Sequence, residues 1–341
     1  MPRPRKAPPQ AKMLELLTGH WIAQMLFAVT QLGVPDALGA KAIAPSALAA
    51  RVGANAAYLR RTLRALASAG VFAEDARGRF KLTPLGQTLR SGRPGSLRDF
   101  ALMIVADYNY QSWEALLPAL RQGKTAFDLK HGLPIFEYLR GHPEDDHQFS
   151  ASMASISGTE NEAVARGYPF GNHAKLVDVG GAHGHLLATI LRRHKKLRGV
   201  LYDQPQVVAG AEASGFVSAP GVRERCEIEG GSFFDKVPAG ADAYLMKYII
   251  HDWDDAKSAR ILAHCRDAMA SGGRVLVVDR VIQPGNGADW SKWLDINMLV
   301  GPGGQERTRA EFAALFASAG LALAKVHATQ SPLSILEAVR A

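Results

Sequence analysis

KLVDVGGAHGHLLATILRRH, residues 175–194, decides the architecture. A short apolar run rich in valine and leucine stops at paired glycines. From His185 onward the apolar residues return with helical spacing, so the stretch reads as strand, glycine turn, helix. Outward from it the same alternation repeats: RGVLYD (198–203) then QPQVVAGAEA (204–213), CEIEGG (226–231), ADAYLMKYII (241–250) then DDAKSARILAHCRDAMA (254–270), and GRVLVVDRVI (273–282). Apolar strands separated by helices specify an α/β fold whose parallel sheet is covered on both faces.

Before about residue 165 the style is different. Residues 12–32 are apolar all round a helical wheel, including Trp21, Met25, Leu26 and Phe27, so a helix there needs cover on every side. SALAARVG (46–53) and NAAYLRRTLRALASAGVF (55–72) read as two helices, and EDARGRFKLT (74–83) as a β-wing. Together they predict a winged helix-turn-helix. Further helices are expected near 96–122 and 144–166. The expected divisions are a disordered basic arm at 1–10, a mainly helical domain at 11–165 and an α/β domain at 166–341.

Composition narrows the class. The 341 residues are 47% hydrophobic, enough for a sizeable core. Cys226 and Cys265 form no disulfide framework and no metal-binding spacing, which points to the cytoplasm. No run is long and apolar enough to span a bilayer, so no membrane partner is expected. The net charge of +8 divides as +10 over residues 1–100 and −2 over the rest. A basic first third could serve nucleic acid or be a solvated face.

The glycine turn holds the first candidate site. Gly180, Gly181 and Gly184 let backbone approach a ligand, and Asp203 ends the second strand about twenty residues on, where a carboxylate can take both hydroxyls of a ribose. Asp178, two residues before the first glycine, puts negative charge beside the turn. That suits a ligand with an amino group better than a pyrophosphate, although the same carboxylate could cap backbone amides. S-adenosylmethionine fits: it has adenosine, an amino-acid moiety and a sulfonium, and no phosphate.

The sequence resembles the S-adenosylmethionine-dependent small-molecule O-methyltransferases of the plant caffeate and acetylserotonin type, with bacterial natural-product members. The resemblance rests on the winged-helix region, LVDVGGAHG, VLYDQP, GGSFF, LMKYIIHDWDD, VLVVDRVI and DINMLVGPGGQERT, in family order. It implies a class I methyltransferase fold, Rossmann-like, with seven strands ending in an antiparallel pair. It implies a homodimer built through the N-terminal domain, which also closes over the substrate. It makes Gly180 part of the cofactor's amino-acid pocket and Asp203 its ribose ligand, stacks Phe233 on adenine, and gives Lys247 and Ser157 the carboxylate end. Ser232 stands where the family usually has an acidic residue; a serine hydroxyl still accepts a hydrogen bond from the adenine amine, at some loss of strength.

The resemblance also makes His251, in YIIHDWDD, the general base. Transfer from a sulfonium needs mainly a deprotonated oxygen in line with the S–CH3 bond. A phenol has a pKa of roughly 10, so a positioned imidazole helps near neutral pH. Asp279 and Glu306 match the family's orienting carboxylates, and the shorter aspartate leaves Glu306 more of that work. Met103, Phe149, Met153, Asp252 and Met298 fall in the acceptor pocket, suited to a hydroxylated aromatic or polyketide-like guest.

Other readings carry weight of their own. A strand-end histidine is commonly structural, and the carboxylates of Asp254 and Asp255 fit a helix start. A metal at His251 lacks a second ligand cluster, and His142 with His147 lies in a charged loop, so no metal is expected. An amine acceptor would need no base. A winged-helix regulator could use Arg60, Arg61 and Arg64 on DNA, but would have no use for the His/Asp/Glu set, so no nucleic acid is expected. An NAD-dependent enzyme fits Asp178 and GGQERT poorly.

Overall fold

The structure is a computed structural model that describes residues 8–39 and 41–341, with no side-chain description for Thr159. The expected arm at 1–10 lies outside the described residues up to residue 7, and a helix already begins at Pro9. The chain divides into two compact units, residues 1–110 with 142–156, and residues 111–141 with 157–341.

In the first unit the expected helix over 12–32 is two, Pro9–Leu17 and Gly19–Gln31, broken at Thr18, whose hydroxyl donates to Leu14 O (2.7 Å). A side chain bonded back to the preceding turn competes with the helix ladder. Helices Pro45–Val52 and Ala56–Ser68 follow, the second capped by Asn55. Strands β1 (Phe72–Glu74) and β2 (Phe80–Leu82) pair antiparallel as the wing. Around them Leu48, Leu63, Leu66, Phe72 and Phe80 make a closed core. The region near 96–122 is not one helix but short pieces, starting with Arg98–Met103 and ending with Leu116–Gln122. Asn109 donates to Met103 O and Ile104 O (both 3.4 Å), which offers the backbone an alternative to a continuous helix.

The second unit is built on seven strands: β3 (Lys175–Val179), β4 (Arg198–Asp203), β5 (Cys226–Gly230), β6 (Ala243–Lys247) and β7 (Arg274–Asp279), and, after the short β8 (Val281–Ile282) and β9 (Arg307–Thr308), β10 (Leu321–Ala328) and β11 (Ser334–Arg340). Their order is β10-β11-β7-β6-β3-β4-β5, with β10 and β11 antiparallel and the other five parallel. The sheet is the methyltransferase arrangement that the resemblance implies.

Two buried layers follow from the two-residue period of the strands. Leu176, Leu201, Leu245, Leu276 and Val278 face one core with helix His185–Arg193, while Val177, Val179, Tyr244, Met246, Val275 and Val277 face the other with helices Asp255–Ala268 and Arg309–Ser318. With both faces dry, ligand chemistry is left to the edge where the parallel strands end. Gly180, Asp203, Lys247 and Asp279 stand at the ends of β3, β4, β6 and β7 respectively. Among the described residues no helix is long and apolar enough to cross a membrane.

Candidate functional site

At the glycine turn Gly180 has φ +72°, and a Cβ there would run into Ile249 Cδ1 and touch Phe233 Cε1 at 3.6 Å. Any side chain at 180 would therefore fill the space between the turn and those two residues. Asp203 accepts N–H bonds from Ala182 (2.8 Å, at Oδ2) and Gln204 (2.7 Å, at Oδ1). Burial raises its pKa, against those two bonds, which lower it. Asp178 is 2% exposed, and its Oδ2 has no hydrogen-bond partner. Burial, and then the Asp203 charge, push it up to about 7. Two carboxylates in a dry corner, one with an orphaned oxygen, are matched by a ligand that brings hydroxyl and ammonium donors.

Phe233 lies beside Phe234 (centroids 4.9 Å apart) and Trp253 (6.2 Å), and its carbonyl is bonded to His264 Nδ1 (2.9 Å). Ser232 Oγ accepts the Phe234 N–H at 3.2 Å, so its own O–H remains a donor. Lys247 is 7% exposed in its side chain. It donates to Asn161 Oδ1 (2.8 Å) and pairs with Glu160 Oε2 (3.3 Å). Burial lowers its pKa, opposed by Glu160. Glu160 and Asn161 lie on helix Pro143–Gly167 one turn past the half-buried Ser157, and sequence reasoning missed both.

The second cluster surrounds His251, which lies in the middle of the helical turn Ile250–Asp252 after β6 and is 7% exposed. Its Nδ1 donates to Glu306 Oε1 at 2.7 Å. The neutral ring then keeps its lone pair on Nε2. Asp252, a fifth exposed, comes within 3.5 Å of Nε2. Asp279 is fully buried and neither of its oxygens has a hydrogen-bond partner, so it acts on the imidazole through charge and not through a bond. Burial alone would pull His251 down, but the Asp252 charge, the Glu306 bond and the Asp279 charge raise it to about 10. Burial likewise raises Asp279, and lifts Asp252 to about 6.

What brings these groups together is the pairing of β8 with β9, Val281 with Arg307 and Ile282 with Thr308, which lays the segment after Asp279 along the segment after Glu306. Gln305 N donates to His251 O (2.9 Å), and a Cβ on Gly304 would collide with the His251 carbonyl oxygen. Arg307, 1% exposed, is the bolt: its guanidinium donates to Ile250 O (3.1 Å), Trp253 O (3.0 Å), Gln305 O (3.2 Å) and Asp255 Oδ1 (2.8 and 3.0 Å). GGQERT was legible as a motif, yet only its glutamate drew notice; an arginine next to a charged site residue was the available signal. Asp254 caps helix Asp255–Ala268 through Lys257 N (2.8 Å).

Tyr248 was also missed. Its φ is +56°, a left-handed conformation that costs a bulky residue on the order of 1–3 kcal/mol and persists only when surroundings enforce it. Of the acceptor residues, Met103 (buried), Phe149 and Met153 (both half-buried) belong to the first unit, and the half-buried Asp252 and the buried Met298 to the second. Among the described residues no three His, Cys, Asp or Glu side chains gather as a metal-holding set.

The chain matches a model of the O-methyltransferase domain over residues 113–322 and one of the O-methyltransferase dimerisation domain over 14–92. It is 42% identical to phenazine O-methyltransferase PhzM of Lysobacter antibioticus, over 96% of this chain and 95% of that one. The structure of CalO1, a methyltransferase of calicheamicin biosynthesis in its S-adenosylhomocysteine-bound form, superposes with a TM-score of 0.88 at 37% identity, covering 98% of this chain and 100% of that one. NcsB1, an O-methyltransferase of neocarzinostatin biosynthesis in complex with S-adenosylhomocysteine and 1,4-dihydroxy-2-naphthoic acid, gives a TM-score of 0.78 at 30% identity, covering 94% and 96%. A nitrogen-methylating relative occurs as well: 8-amino-8-demethylriboflavin N,N-dimethyltransferase of Streptomyces davaonensis, 34% identical over 93% of this chain and 91% of that one.

Proposed function

We propose that this chain, which belongs to the S-adenosylmethionine-dependent O-methyltransferase family, methylates a hydroxyl on a flat aromatic small molecule, with His251 receiving the hydroxyl proton. The observation that carries the proposal is the 2.7 Å bond between His251 Nδ1 and Glu306, which leaves Nε2 as the nitrogen able to accept. S-adenosylmethionine supplies the methyl group as an electrophile on sulfur. The glycine turn fits that molecule: Asp203 for the ribose, Gly180 and Asp178 at the amino-acid end, Phe233 for adenine, with Ser232 able to donate to a ring nitrogen. Ser157 and Lys247 would take the carboxylate, Lys247 being shared with Glu160 and Asn161.

In this reading His251 takes the proton at Nε2 while Glu306 holds the ring and stabilises the imidazolium. Asp279 adds negative charge nearby, and Asp252, on the Nε2 side, holds the acceptor hydroxyl. Met103, Phe149, Met153 and Met298 stay in the proposal as residues in contact with the acceptor. Residues 11–165 are read as the dimerisation and lid domain, and 166–341 as the catalytic one. A homodimer through the first is supported by the dimerisation match and by exposed Met13, Leu14, Leu16, Leu17, Trp21 and Ile22, which lack cover in a single chain. The two free cysteines support a cytoplasmic location.

The relatives favour a fused-ring acceptor of phenazinol or hydroxynaphthoate kind. The test is incubation with methyl-labelled cofactor against 1-hydroxyphenazine, 1,4-dihydroxy-2-naphthoic acid and an aminohydroxybenzoate. Label on oxygen, lost in His251→Gln, is the expected outcome. Label on nitrogen, undiminished in that variant, would overturn the reading in favour of the amine acceptor.

A further inference from the structure

We infer that Tyr248 is a positioning residue for the base: with its hydroxyl pinned by buried Glu160, its ring sets the tilt of the His251 imidazole. The inference rests on the reading of His251 as the base.

The phenol ring stacks on the imidazole, with centroids 5.0 Å apart and planes 26° from parallel. Its hydroxyl donates to Glu160 Oε1 at 2.9 Å. Glu160 is 8% exposed, and its other oxygen pairs with Lys247. Burial, and then the Glu160 charge, push the Tyr248 hydroxyl far up, which keeps it a donor. The charged groups facing Tyr248 are thus Glu160, Lys247 and Arg280, and those facing His251 are Asp252, Glu306 and Asp279.

A single hydrogen bond at Nδ1 fixes one point of the imidazole and leaves the ring free to rock about it. An aromatic face laid against the ring removes that freedom. The left-handed backbone at Tyr248 is what turns the side chain back toward His251 three residues on, and the bond to Glu160 is an interaction able to hold that conformation. Ring and imidazole together also favour the charged form of the base, because the aromatic face attracts a cation. Glu160 joins this brace to Lys247, the residue read as holding the cofactor's carboxylate. One helix, Pro143–Gly167, therefore carries Ser157 and also the anchor of the base.

The test uses the full chain as wild type, Tyr248→Phe, Tyr248→Leu and His251→Gln. Histidine ring signals in nitrogen-15-labelled protein give the titration of His251, identified by its loss in His251→Gln. Initial rates with 1-hydroxyphenazine and labelled cofactor give kcat and KM. Tyr248→Phe, which keeps the ring but not the bond, is expected to lower kcat about 3- to 10-fold with cofactor KM within about twofold, a fraction of a general base's full worth. Tyr248→Leu should lower kcat about 30-fold and move the His251 titration down by roughly half a pH unit, since the imidazolium loses its aromatic face. Recovery of rate in Phe relative to Leu separates positioning from simple packing. If a folded Tyr248→Leu chain titrates as wild type and turns over within twofold of it, the inference is wrong. If instead His251→Gln keeps full turnover, the base reading fails, and the titration of Tyr248→Leu still decides whether the phenol ring governs the imidazole.

Discussion

Strand β7 touches two histidine–carboxylate clusters, a half-buried one at its start and a buried one at its end, and they differ in how far their polar atoms are satisfied. At its start Arg274 donates to Glu337 Oε1 (3.1 Å), which also accepts from Tyr168 (3.4 Å), while Glu337 Oε2 accepts from His327 Nε2 (2.8 Å). Every polar atom of that glutamate is used. Although burial opposes it, the His327 and Arg274 bonds hold its pKa below the usual carboxylate range. At the other end of the strand, one imidazole meets three carboxylates, both oxygens of Asp279 and one of Glu306 lack partners, and the imidazole and Asp279 are pushed up. Both join an imidazole to carboxylate; only the first is fully satisfied. A completed network fixes structure, and an incomplete one in a dry corner is poised for a ligand or a proton.

The sharpest way to break this contrast is to delete each histidine. His251→Gln should cut turnover by about 10²-fold or more with cofactor affinity kept, as measured by initial rates and equilibrium dialysis. His327→Gln should leave turnover within about twofold, which places it in the structural end. Next in size, Glu306→Gln should cost roughly 10- to 100-fold in kcat, since the ring loses both its orienting partner and its countercharge.

The pH dependence sharpens the same comparison. With His251 raised to about 10, the imidazolium dominates at neutral pH and the accepting form grows as pH rises. Log kcat/KM for a neutral phenol should therefore climb from pH 7 toward alkaline values instead of levelling near 6.5. Asp252→Asn removes a charge that stabilises the imidazolium, so the limb should move to lower pH in rate–pH profiles. The smallest effect on activity belongs to Glu337→Gln. It should lower unfolding free energy by about 1–3 kcal/mol in denaturant titrations, through its weakened bonds to Arg274 and His327, while kcat stays unchanged.

Much of the sheet was legible because strands buried on both faces have to be apolar throughout, and a glycine turn after Val179 has few alternatives. The antiparallel pair was not legible from pattern alone: β10 is half exposed, and its burial hardly alternates. The expected long helices failed where polar side chains bonded back to nearby carbonyls, at Thr18 and Asn109, which a helical wheel does not register. In the site, His251 stood out because it closes the apolar run of YIIHDWDD, and Asp279 and Glu306 were legible through the family resemblance of VLVVDRVI and GGQERT. Glu160 and Arg307 did not, since their partners lie 88 and 57 positions away and only folding brings them near.

Arg307 has a consequence for anyone wishing to transplant this chemistry. Its guanidinium ties the carbonyls of 250 and 253 to the segment that bears residue 306, so the two peptides form one cassette though the sequence separates them widely. Grafting HDWDD into another scaffold would carry the imidazole but leave behind the peptide that shapes its loop. A working transplant has to move both pieces together with the arginine that joins them.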